Sequence, residues 1–205
     1  MAMKPKEALI IIEPKDIYVG KDTAPVTLMM FGDYESDACA AANEVVKQVL
    51  EKYPDDVRLN FRHFPLTNIH QRALKAGEAA VAAGQEGKFW PMHNLLFQNR
   101  HNLGTITLKS YAREAGVTSK VFLDDLMNST FGWQVRGDIS YGQQKGVKEV
   151  PTFFLNDERY TDSITLAGFS KAIDAILASG GSKTKRPLKK GPNNNGYLKA
   201  CVPCS

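Results

Sequence analysis

Val26-Thr27-Leu28-Met29-Met30-Phe31 is a continuous apolar run of strand length, entered after Ala24-Pro25 and left at Gly32-Asp33. A strand apolar on both faces must be covered on both, which places it inside a sheet flanked by helices. From Ser36 onward, Cys39, Ala42, Val45, Val46, Val49 and Leu50 recur at helical spacing. Ser36 or Asp37 can cap that helix, and Pro54 follows its end. Residues 57–64 (VRLNFRHF) alternate and stop at Pro65, the pattern of a second strand. Strand, helix and strand form a βαβ unit, whose crossover is expected to be right-handed.

A helical tract of about 80 residues follows. Residues 73–84 are alanine-rich, residues 88–99 carry Phe89, Trp90, Leu95, Leu96 and Phe97, and residues 108–115, 119–127 and 134–145 read as shorter helices between turn residues. Strand character returns at residues 150–156 (VPTFFLN). Asn156-Asp157 supplies a turn, and residues 159–161 with 164–166 read as a short returning strand. Pro151, at the start of its strand, leaves the ladder intact. Phe169, Ile173, Ile176 and Leu177 mark a closing amphipathic helix, and beyond Gly180-Gly181 the apolar periodicity ends.

A chain of 205 residues with 43% hydrophobic residues suits one domain, with room for an insertion and a tail. No apolar run approaches the roughly 18 residues that span a bilayer, and no signal-peptide pattern opens the chain. This gives an expectation of no membrane partner and a cytoplasmic address, with a periplasmic one as the alternative should a leader have preceded Met1. The formal charge of +4 is carried by the last 25 residues, where Lys183, Lys185, Arg186, Lys189, Lys190 and Lys199 meet no acid. The remainder holds 20 basic and 22 acidic residues, which argues against nucleic acid as a partner. Three cysteines without a secretory signal do not make a disulfide framework; they read as chemistry, metal binding or chance.

The order βαβ, helical insertion, ββα, with the segments APVTLMMFGDYESDAC, FRHFPL, KFWPMHNLLF and GVKEVPTFFLN, closely resembles the DsbA-like branch of the thioredoxin superfamily over roughly residues 17–178. The resemblance implies an α/β thioredoxin fold over 1–180 with an all-helical subdomain inserted at about 67–146. A basic, flexible tail over 181–205 ends in Cys201-Val202-Pro203-Cys204. The resemblance also implies a redox dithiol at the N-terminus of the first helix, a facing cis-proline at Pro151 preceded by Val150, and thiol–disulfide oxidoreductase activity on cysteine-containing proteins or peptides.

The departure falls at the chemistry. Where the family carries Cys-x-x-Cys, this chain has Ser36-Asp37-Ala38-Cys39. Disulfide exchange needs one thiolate to attack and a second thiol to resolve the mixed disulfide. A serine hydroxyl is hardly ionised at neutral pH and forms no reducible bond. Asp37, in the first helical turn, is expected to disfavour a neighbouring thiolate further. Cys39 then reads as a buried inert hydrophobe, as a monothiol, or as a metal ligand. The pair Cys201 and Cys204 reads as an auxiliary dithiol, a zinc half-site or a plain chain end. About 20 residues of flexible chain span roughly 25 Å, enough to bring those thiols to Cys39 at about millimolar effective concentration.

Three functions compete. The first is an oxidoreductase-like enzyme in which Cys39 and Ser36, helped by Cys201 and Cys204, handle thiols, while Asp37, Ala38, Val150 and Pro151 hold the substrate. The second is a glutathione-dependent transferase or isomerase, similar to the kappa-like branch, in which Ser36 hydrogen-bonds the thiolate of glutathione as co-substrate. The third is a peptide-binding module without catalysis. No resident cofactor or metal is expected, and His63, His70, His93 and His101 read as structural or surface residues.

Overall fold

The computed structural model describes residues 12–180; the basic tail with Cys201 and Cys204 lies outside them. The central strand is β2 (Val26–Gly32), the apolar run of the sequence. It lies parallel to β3 (Val57–His63), Leu28 opposite Leu59 and Met30 opposite Phe61. On its other edge it lies antiparallel to β4 (Thr152–Leu155), Leu28 opposite Leu155. A two-residue strand β1 (Tyr18–Val19) pairs with β3, and β5 (Glu158–Tyr160) pairs with β4, both antiparallel. The sheet order is β1-β3-β2-β4-β5.

Helix α1 (Asp37–Lys52) connects β2 to β3. Five helices stand between β3 and β4: α2 (Ala73–Gly84), α3 (Phe89–Gln98), α4 (Thr105–Glu114), α5 (Phe122–Met127) and α6 (Gly132–Gln144). Helix α7 (Leu166–Ala178) closes the fold.

The period of two along the strands sorts side chains onto two faces. Val26, Leu28, Met30, Leu59, Phe61, Phe153 and Leu155 share one buried cluster with Val46 and Val49 of α1 and Phe169 and Ile173 of α7. The aromatic residues of α3 join this cluster: Phe89, Trp90 and Phe97 are buried, and Tyr34 stacks on Phe61 with centroids 5.2 Å apart. The second face carries a smaller cluster of Met29, Phe31, Phe64, Val147 and Phe154, with Tyr141 of α6 against it. Gly142 lets α6 come this close, since a Cβ there would stand 2.7 Å from the Phe64 ring.

Residues 57–63 are buried at every position, so the alternation in VRLNFRHF separates two covered faces. Two expectations change. Residues 164–166 are not strand: Thr165 caps α7, its hydroxyl oxygen accepting from the Gly168 amide at 3.1 Å. The later helices are also displaced, α4 and α6 beginning two or three residues early, at Thr105 and Gly132, and α5 three residues late, at Phe122. Among the described residues no helix is long and apolar enough to cross a membrane.

Candidate functional site

Residues 33–36 turn the chain from β2 into α1. Ser36 is the N-cap: its backbone is extended and its Oγ accepts the Cys39 amide at 3.2 Å, satisfying a donor that a helix start leaves without an internal partner. This settles the choice between Ser36 and Asp37 as the cap. Cys39 faces inward, completely buried in the apolar cluster beneath α1, and its Sγ accepts the Asp33 amide at 3.4 Å. Burial pushes the Cys39 thiol up to about 11, against the smaller opposing pull of the Ser36 hydroxyl and the Asp33 amide. At neutral pH it is therefore a thiol and not a thiolate.

Asp37 and Ala38 are exposed on the first turn. The Asp37 carboxylate is ion-paired with Arg100 and lies 3.6 Å from His101, both just beyond α3. The Arg100 guanidinium holds its carboxyl below the usual carboxylate range. The aspartate expected to burden the helix terminus with unbalanced charge thus has its counterion at hand.

Val150 and Pro151 are half-buried, and the bond between them is cis. Thr152 pairs with Phe31, so Pro151 continues the register opposite Gly32, at the strand end from which Ser36 departs. The structure thus brings Ser36, Asp37, Ala38, Cys39, Val150 and Pro151 to one end of the sheet. A cleft of about 250 Å³ opens beside Pro151 and Thr152, bounded by Arg159, Tyr160 and Ile164. Its lining includes Arg159 and Tyr160 of β5 and does not include Ser36.

Asp33, Glu35, Leu66, His70 and Arg72 complete the site. The Asp33 carboxylate is fully buried and accepts the amides of Glu35 and Leu66 and the Nδ1 of His70, each at 2.8 Å. His70, expected on a helix, sits in the turn before α2. Glu35 accepts the Arg72 amide at 2.7 Å. The only signal for these contacts was an aspartate three residues ahead of a helix cap; its partners lie 33 and 37 positions away.

Deeper in, Tyr34 Oη meets His93 Nδ1 at 3.0 Å, and His93 Nε2 meets the Asn43 side-chain oxygen at 3.1 Å. Burial lowers His93 well below its ordinary value and takes His63 to about 3, so both rings are neutral. Among the described residues no group of histidine, cysteine and carboxylate side chains is placed to hold a metal.

The family model described as thioredoxin matches residues 13–175. The Na(+)/H(+) antiporter NhaA 1 of Salinispora arenicola is 31% identical over 173 residues, which are 84% of this chain and 26% of that protein. The chain spans about a quarter of the length of the curated relatives it matches. Oxidised BdbD of Bacillus subtilis superposes with a TM-score of 0.73 at 23% identity, over 81% of this chain and 93% of that one. Wolbachia pipientis alpha-DsbA1 superposes at 0.69 and 20% identity, over 83% and 95%. These likenesses identify the fold as a DsbA-like thioredoxin fold.

Proposed function

We infer that this chain, which belongs to the thioredoxin family, is a thiol- and peptide-binding member of that oxidoreductase lineage whose in-fold site holds a sulfur ligand without exchanging it. One observation carries the reading: among the described residues the only cysteine at the α1 terminus is the buried Cys39, its thiol raised to about 11, and the cap position in front of it is a serine. A thiol of that kind is one part thiolate in about 10⁴ at pH 7. It has no partner at position 36 with which to close a disulfide. The Ser36 Oγ accepts from the Cys39 amide while its hydroxyl hydrogen-bonds the Cys39 sulfur. On binding, that O–H turns from Cys39 to donate to the sulfur of a cysteine-containing peptide, or of glutathione, resting against the first turn of α1, while the backbone at Val150 meets an extended peptide.

Under this reading the in-fold site supplies recognition, and any sulfur exchange draws on Cys201 and Cys204. The test is insulin reduction and oxidation of reduced ribonuclease, run on the full chain, on Cys39→Ser, on Ser36→Cys and on the chain cut at Gly181. The unaltered chain and Cys39→Ser should differ by less than about twofold. Ser36→Cys, which restores a dithiol on an intact scaffold, should gain at least about tenfold. Turnover that vanishes in Cys39→Ser yet survives removal of the tail would overturn the reading and make Cys39 a working monothiol. Turnover lost only on cutting at Gly181 would assign exchange to the tail dithiol, with the fold as its platform.

A further inference from the structure

The second face of the sheet changes character along its length. Under α6 it is aromatic, with Phe31, Phe64 and Phe154; beyond the last turn of α6 it becomes polar, with Thr27, Arg58 and Asn60. Arg58, Asn60 and Arg62 occupy successive positions of β3 on this face and are 4%, 1% and 9% exposed. Two guanidinium groups inside a sheet need an explanation, because a buried charge is costly unless it is compensated.

Arg62 is compensated. Its Nε and Nη2 reach Asp138 Oδ1 at 2.7 and 2.5 Å, and its guanidinium lies over the Tyr141 ring. Arg58 is not. Its Nε donates to Thr27 Oγ1 at 2.9 Å and its Nη1 to the Asp22 carbonyl at 3.0 Å, with the Tyr18 ring 4.6 Å away. A guanidinium has five N–H donors, so three have no partner among the described residues. No carboxylate pairs with Arg58 among the described residues. Both arginines line a cleft of about 180 Å³ together with Lys15, Tyr18, Tyr141 and Asn156. Two acids share that lining: Asp157, engaged by Lys145 at 3.1 Å, and Asp16.

We propose that this cleft is a binding site for a small oxyanion, a phosphate or carboxylate group seated on Arg58, on the sheet face opposite the one that α1 covers. The planar fork of a guanidinium matches either group through paired N–H donors, and a partly dry setting strengthens each bond. Asn60 builds the floor: its side-chain amide donates to the carbonyls of Pro14 and Ile17, both at 2.9 Å, and so fixes the segment that carries Lys15. Asp16 opposes an anion here and sets a ceiling on affinity.

The test is titration of the full chain with inorganic phosphate and, separately, with succinate at constant ionic strength. Calorimetry gives the affinity, and the Asn60 side-chain amide resonances report occupancy. At least one anion should saturate a single site and shift those resonances; saturation by phosphate or by succinate distinguishes the two sources. Arg58→Gln should weaken binding at least tenfold, Asp16→Asn should tighten it severalfold, and Arg113→Gln on α4 should leave it unchanged. If Arg58→Gln does not fold, Arg58→Lys and Lys15→Gln take its place, and each must weaken binding. No saturation by either anion, or affinity unmoved by the substituted cleft residues, overturns the proposal.

Discussion

The two faces of the sheet bury comparable positions of the same strands and do so by opposite means. On the face under α1 and α7, Leu28, Met30, Leu59 and Phe61 pack against aliphatic and aromatic side chains, Cys39, His63 and His93 are kept neutral by burial, and the buried Lys47 of α1 is held by Glu44 at 2.7 Å. On the face under α6, Arg62 and Asp138 form a charged pair inside the protein, with Asp138 also accepting the His63 amide at 2.9 Å. The first face is mainly apolar and keeps its sheet-facing ionisable groups neutral, and the second places a matched charged pair directly on a strand. Burial alone therefore does not say which residues are apolar: β3 is covered on both sides yet alternates in chemistry.

The sharpest way to break this contrast is to unmatch the second face. Asp138→Ala leaves Arg62 buried without its carboxylate and should cost about 3–5 kcal/mol in urea unfolding. The double replacement Arg62→Met with Asp138→Leu should recover most of that loss, because apolar packing of similar volume often equals a buried pair. If Asp138→Ala costs under about 1 kcal/mol, solvent reaches the pair and the second face is not truly interior.

Acidification probes both faces together, with opposite signs. His63 and His93 are depressed in the folded state, so their contribution is complete above about pH 6.5 and is lost as pH falls. Asp138 is raised by burial to about 6, so the folded chain holds a proton there that the unfolded chain releases, and its contribution grows as pH falls from about 6 toward 4. Two histidines outweigh one aspartate. Between pH 7.5 and 5.0 the chain should lose about 2–3 kcal/mol, at about 1.4 kcal/mol per unit of pH and proton. Urea midpoints at the two pH values check this, and a gain in stability on acidification would mean that the charged face governs.

A smaller effect belongs to the junction between the faces. Ser36→Ala removes the α1 cap and should cost about 1 kcal/mol. The same substitution should leave the far-ultraviolet circular dichroism unchanged, since tertiary packing holds α1. A loss above about 2 kcal/mol would show that the hydroxyl supports Cys39 burial as well as the helix start.

Those elements were legible in sequence whose partners are local or whose coverage is complete. The apolar run at Val26 announced β2 because both its faces are buried, and Ser36 announced α1 because capping needs only three residues. The strand β1 was not legible, because two residues carry no periodicity. Its position depends on Asn60 reaching Pro14 and Ile17, and on the Trp90 indole donating to the Tyr18 carbonyl at 3.0 Å from 72 positions away. The site divided in the same way. Ser36 and Cys39 stood out by their spacing. Asp33 and His70 did not, because a buried carboxylate declares itself only through the donors that the fold brings to it.

That carboxylate has a thermodynamic consequence. Asp33 accepts from both ends of its neighbourhood, and Glu35 adds a bond to Arg72, so the turn ahead of α1 is already tied to the segment before α2. If a ligand binds at Ser36 as proposed, it would find its receptor wall assembled and spend little free energy on ordering backbone there. Association at this terminus should then be fast and rigid-body in character, its affinity limited by how well the ligand's own shape fits a frame that does not yield.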